Sequence, residues 1–165
     1  MKLTLERNQE KIIKKIIEEY DKYFDYILID FPPSSSRLTE VLLDISDTIV
    51  IVVGLDSLGL GGFFNSIQYF VDNDIRLDGI KYILPNGYSK NRRAPRISLD
   101  KLIEQAKGFT PNATVLPPLQ DKSIIKNLQS MGISVYDEVE LNNYDKKAKG
   151  MLESELTALF EQIKA

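Results

Sequence analysis

Asp30 is the carboxylate in this sequence best placed to do chemistry. It ends an apolar run, Tyr26-Ile27-Leu28-Ile29, and is followed by Phe31, two prolines and three serines. An unbroken apolar run suits a central strand of a parallel sheet, buried on both faces. A carboxylate at the C-terminal end of such a strand stands at the edge where open α/β sheets bind ligands. There it can hold Mg²⁺, often through water, because Mg²⁺ keeps part of its hydration shell. The same residue could instead cap the following turn. Pro32 and Pro33 fix the backbone of the exit loop, and Ser34, Ser35 and Ser36 precede a helix N-terminus whose free N–H groups favour anions. A phosphate-facing loop has these features, and so does a rigid strand-to-helix connection. The serines are poor nucleophiles, since the chain has no histidine to activate them.

Cations form the second constellation. No acidic residue lies between Asp78 and Asp100, whereas Lys81, Lys90, Arg92, Arg93 and Arg96 all do. On a chain of formal charge −3 such segregation suits a polyanion contact that is salt-sensitive and sequence-independent. A solvated loop that maintains solubility would look the same. Two polar turn positions complete the set. Asn86, between Pro85 and Gly87, can face a ligand or serve as a turn residue, and Pro117-Pro118 can flank a ligand or simply end a strand. The segment from Gly59 to Gly62 follows a strand and opens a helix, but it lacks the lysine and the full glycine pattern of a phosphate cradle. No Gly-Lys dipeptide occurs anywhere in the chain.

These residues need a scaffold, and 165 residues suffice for one domain with a real core. Hydrophobic residues at 43% and charged residues at 27% are ordinary for a globular protein. The absence of cysteine and histidine excludes disulfides, thiolate and imidazole metal sites and the usual neutral-pH base, so any metal must be a hard ion on oxygen ligands. No secretion signal or membrane-length apolar run is present, and the polar face of the first helix mixes Lys and Glu, which disfavours membrane attachment. A cytoplasmic protein with no membrane partner is expected.

Hydrophobic periodicity predicts helices over about 8–23 (packed on the sheet), 38–45 and 60–71, then from Ser98, from Asp121 to a stop at Gly132, and from about Asp145. Strands are predicted at about 26–30, 48–53, 79–84 and 113–116, with a turn at 85–87 and a basic loop over 88–97. Alternating strands and helices imply an α/β fold with a doubly wound, mostly parallel sheet of about four core strands flanked by helices, in a single domain spanning residues 1–165.

The run Phe24 to Ser34, FDYILIDFPPS, resembles the (Y/F)DYIIID-x-PPS segment of the ParA/MinD family, deviant-Walker P-loop ATPases that segregate plasmids and chromosomes. In that family the Asp is the Walker B residue and the PP-containing loop is the second switch. Further similarities follow in order: the strand from Asp47 to Val53, the strand start from Leu77 to Ile80, a late strand ending in Leu116-Pro117, and Ser130-Met131-Gly132-Ile133-Ser134-Val135-Tyr136-Asp137. The resemblance runs from about Tyr20 to the C-terminus. It implies a P-loop NTPase-like fold, with ATP and Mg²⁺ as cofactors and Asp30 as the metal-side carboxylate. It also implies nucleotide contacts from Pro33, Ser34, Asn86 and Pro117, and nonspecific DNA contacts from Lys90, Arg92, Arg93 and Arg96. A homodimer or a second polypeptide and a ParB-like centromere-binding protein are the implied partners.

One departure matters. The family begins with a KGGxGK(T/S) loop, which this sequence lacks, and in the family the strand leading to that loop lies between the Asp30 strand and the next. Its loss would leave two buried strands with unpaired edges, at a cost of several kcal/mol, on the order of one desolvated amide each. The gap is expected to close by direct pairing of the 26–30 and 48–53 strands, or to be filled by another chain, or to reflect a piece of a longer protein. Hydrolysis by this chain alone is not expected. The rival reading is a non-catalytic remnant or interaction module that binds DNA or a protein partner without nucleotide.

Overall fold

The computed structural model describes residues 2–31 and 36–164. Helices α1 (Lys2–Tyr20) and α2 (Arg37–Ile45) come first, followed by the βα alternation: β1 (Ile49–Gly54), α3 (Ser57–Asp72), β2 (Ile80–Tyr88) and α4 (Arg93–Phe109). Two short strands, β3 (Thr114–Val115) and β4 (Leu119–Gln120), then lead to α5 (Ser123–Ser130) and α6 (Asn143–Lys164). The sheet has four strands, all paired in parallel, with β2 between β1 on one side and β3 and β4 on the other. This is an α/β fold with a parallel sheet flanked by helices, consistent with a P-loop NTPase-like architecture.

Side-chain alternation along β1 divides the core into two layers, because successive residues point to opposite faces. Ile49 and Val53 lie in the main cluster with Phe63, Ile67 and Phe70 of α3 and Leu102 and Ala106 of α4. Val50 belongs to the other face, with Leu84, Leu116 and the α6 residues Leu156, Leu159 and Ile163. The α3 residues recur at i, i+4 and i+7, so one helical stripe is buried. Asp56 starts α3, its Oδ1 accepting a hydrogen bond from the Gly59 N–H at 2.7 Å. Gly59 then sits against the end of β1, where a Cβ would lie 2.1 Å from the Gly54 carbonyl oxygen. Only glycine allows the helix to leave the strand so closely.

Three sequence expectations about elements fail, each for a physical reason. The 26–30 stretch is not a strand: among the described residues, Ile27–Phe31 make no backbone hydrogen bond, and β1 pairs with β2 alone. Direct closure of the gap therefore does not occur. Without a neighbour on that side the segment forms no strand, and Leu28 is 90% exposed. The 85–87 turn is also absent, because Pro85, Asn86 and Gly87 lie within β2. Pro85 pairs with Val53 and is buried. Its missing N–H is tolerated because it faces the break between β3 and β4, after Leu116 N–H donates to the Ile83 carbonyl at 2.9 Å. Gly87 adopts φ +81° where the register shifts between Asn86 and Tyr88.

The third failure is α1, which packs against α2 rather than on the sheet and leaves Ile12, Ile16 and Tyr20 about half exposed. With the 26–30 segment outside the sheet, the helix before it has no strand to lie on. Local caps define three other helix ends. Ser36 caps α2 by accepting from the Thr39 N–H at 3.2 Å. Gly132, at φ +66°, closes α5, with the Ile133 N–H donating to the Leu128 carbonyl at 3.0 Å. Asn142 caps α6 reciprocally with Asp145, at 2.9 and 2.8 Å.

Candidate functional site

The parallel sheet aligns the carboxyl ends of its strands: Gly54 pairs with Asn86, and Asn86 with Leu119. Asn86 and the Pro117-Pro118 segment between β3 and β4 are thus neighbours at the edge where open sheets bind ligands. Asn86 is exposed and its Oδ1 accepts from the Gly87 N–H at 3.0 Å, while its Nδ2 has no partner among the described residues. Pro117 is exposed. Asp30 is exposed too, and the neighbouring Phe31 packs against the main core cluster. Pro33 and Ser34 lie outside the described residues.

A complete Mg-ATP site does not fit what is present. Among the described residues no group of three acidic side chains could hold a metal ion. The helix that leaves β1 cannot cradle a phosphate in the usual way: the N-cap carboxylate of Asp56 already occupies its Gly59 N–H, and a second anion there would be repelled. No cation from a Gly-Lys loop compensates. Asn86 and Pro117 are exposed at the carboxyl edge of the sheet and Asp30 is exposed as well, while the sequence carries no phosphate loop.

The cations are brought together more fully. Lys90, Arg92, Arg93 and Arg96 line one shallow cleft of about 370 Å³, together with Asp100. The expected loop is shorter than the sequence suggested, because α4 starts at Arg93 and carries Pro95 in its first turn, where the missing N–H costs nothing. Arg93 and Arg96 therefore stand on the first helical turn, with Arg92 as the N-cap residue and no side-chain cap. Cations near a helix N-terminus oppose its dipole, and no acidic residue offsets them in that turn. Helix stability alone does not favour this arrangement, whereas an anion in the cleft would.

Arg92 differs from its neighbours: its Nη2 donates to Asp121 Oδ2 across the end of the sheet. Asp121 was expected to cap α5, but the N-cap is Lys122, which makes no side-chain cap. Asp121 is held by its own backbone, whose N–H donates to the Tyr88 carbonyl at 2.9 Å. Lys122 bridges to Glu155 of α6, tying that helix to β4. Neither contact was legible in the sequence, since the partners lie 29 and 33 positions apart. Among the described residues no helix is long and apolar enough to cross a membrane.

Comparison with known proteins matches the N-terminal part of the chain. The profile of a family described as an AAA domain, of ParA/MinD-like type, matches residues 1–77. The sporulation initiation inhibitor protein Soj of Bacillus subtilis strain 168, a ParA-family protein, is 30% identical over 79 residues, covering 44% of this chain and 31% of Soj. The chain thus aligns with about a third of that relative's length. No solved structure matches. The two matches, each covering less than half of this chain, make its N-terminal part similar to the ParA/MinD-type family, and the parallel α/β sheet is consistent with that fold.

Proposed function

We propose that this chain is the DNA-facing part of a ParA-type partition ATPase, acting in the cytoplasm in plasmid or chromosome segregation. It binds duplex DNA without sequence preference through Lys90, Arg92, Arg93 and Arg96. The observation that carries this reading is the gathering of those four cations into one cleft on a chain whose formal charge is −3. Phosphates of a polyanion satisfy a cationic cleft of this kind without any base contact. Asp30, Asn86 and Pro117 are the residues that would face Mg-ATP once a phosphate loop is supplied, and the family's nucleotide-dependent dimer and centromere-binding partner belong to that complete state.

The test is binding of a random-sequence DNA duplex by the 165-residue chain across a salt series. Salt-sensitive binding that is lost in Arg93→Glu/Arg96→Glu supports the reading; equal binding by the variant removes the cleft from it. Thermal unfolding with Mg-ATP tests the nucleotide part, and a shift in the isolated chain would contradict the missing phosphate side. A second reading, action on DNA or a protein partner without nucleotide, is favoured by the exposed 26–31 segment. It predicts no response to Mg-ATP even after a phosphate-loop segment is supplied in trans.

A further inference from the structure

The four cations of the cleft are not equivalent. Lys90, Arg93 and Arg96 have no ion-pair partner among the described residues, whereas Arg92 is engaged by Asp121. Both partners of that pair reach solvent, with side chains 59% and 48% exposed. Exposed ion pairs are weak and exchange readily, so a stronger anion can replace the carboxylate. A carboxylate and a phosphate present the same paired-oxygen face to a guanidinium. The position of Asp121 is nevertheless fixed, because its backbone N–H is bonded to the last residue of β2.

We propose that Asp121 is a built-in competitor for the DNA phosphate that would otherwise engage Arg92, so that it sets the affinity of the cleft. This rests on the DNA-binding reading above. In the resting protein the carboxylate holds Arg92 and lowers the positive potential of the cleft. While that pair holds, DNA is contacted by Lys90, Arg93 and Arg96, and Arg92 is withheld from a fourth phosphate contact. Asp100 lines the same cleft and has no ion-pair partner among the described residues, so it lowers the potential without withholding a cation.

The experiment compares the wild-type chain with Asp121→Asn and Asp100→Asn, using a short random-sequence DNA duplex as probe over a range of salt concentrations. Asp121→Asn is expected to bind several-fold more tightly at low salt, with its log–log salt slope steeper by about 0.9, the value for one further phosphate contact. Asp100→Asn is expected to tighten binding with the slope unchanged. Adding Arg92→Gln to Asp121→Asn should abolish the extra slope. An Asp121→Asn slope equal to wild type, with binding still lost in Arg93→Glu/Arg96→Glu, overturns the competitor role and leaves the DNA reading standing. Absence of salt-dependent binding in wild type and Asp121→Asn alike overturns both. Circular dichroism of each variant checks that it is folded, and a misfolded Asp121→Asn makes the pair a structural tie and also counts against the proposal.

Discussion

Replacing Gly59 by Ala tests how the helix at the edge of the sheet is seated. The added methyl would lie 2.1 Å from the Gly54 oxygen, 2.7 Å from its carbonyl carbon and 2.8 Å from its Cα. All three are backbone atoms of β1, so no side chain can swing aside. Carbon atoms of this type essentially never approach within 3.0 Å, and the start of α3 must therefore retreat by about 0.9 Å. That retreat loosens Phe63, which is buried to within 1% of its surface against β1. Overpacking of a close backbone contact costs about 2–3 kcal/mol, net of the usual gain from replacing a helical glycine. Gly61 and Gly62 supply the control, because a Cβ at either meets nothing within 4 Å. Alanine there stabilises the helix by about 0.5–1 kcal/mol. Urea denaturation reads both effects as opposite shifts in midpoint at constant slope. A Gly59→Ala midpoint equal to wild type, or a Gly61→Ala loss as large, refutes the close-approach argument.

Three further outcomes are expected. Leu28→Ser should change the stability of the chain by no more than about 0.5 kcal/mol, as at other exposed sites; a loss of about 3 kcal/mol in denaturation would mean that the segment is a buried strand after all. The Tyr69 hydroxyl is buried with no hydrogen-bond partner among the described residues, and burial together with nearby Glu40 pushes its pKa up. Its share of stability is therefore complete below the unfolded tyrosine value and lost as pH rises through the folded one. A phenolate absorbance titration should lose a late transition in Tyr69→Phe, whose stability is equal to wild type or higher; a marked loss of stability would disprove the orphaned hydroxyl. Glu10 is held below the usual carboxylate range by its hydrogen bond to Lys14, at 3.0 Å, with Arg37 adding. Its contribution is present above the unfolded value and disappears as pH falls through the folded one, so acidification should loosen α1 from α2. Hydrogen exchange of α1 that is insensitive to acid after correction for intrinsic rates, or equally sensitive in Glu10→Gln, would contradict this.

Elements with strong local signals were legible in the sequence. The stripe Phe63, Ile67 and Phe70, the β-branched β1 and the Gly132 stop each carry their instruction within a few residues. Pro85-Asn86-Gly87 misled because the turn chemistry of these residues is locally sound, while the break between β3 and β4 that accommodates Pro85 lies some thirty residues on. The Tyr26–Asp30 run misled in the opposite direction. Its composition is that of a buried strand, yet a strand exists only where a neighbour supplies hydrogen bonds, and composition cannot report a missing neighbour. In the candidate site the cationic cluster could be read because it is local. The Arg92–Asp121 and Lys122–Glu155 pairs could not, since they depend on where the sheet sets β4.

The unpaired side of β1 also bears on how the protein behaves in concentrated solution. Ile49-Val50-Ile51-Val52-Val53 is uncharged and β-branched, has no proline, and presents an edge that no other described strand covers. Natural edges of this composition are usually blunted by a lysine, a proline or a bulge, because an open row of amides templates association with other chains. In β1 the register irregularity falls between Ile49 and Val50 and leaves Val50 to Val53 regular. The chain should therefore show concentration-dependent aggregation, nucleated at β1, well below its unfolding temperature. Val52, 60% exposed on the sheet face only partly covered by α6, is the position where a single lysine should suppress it.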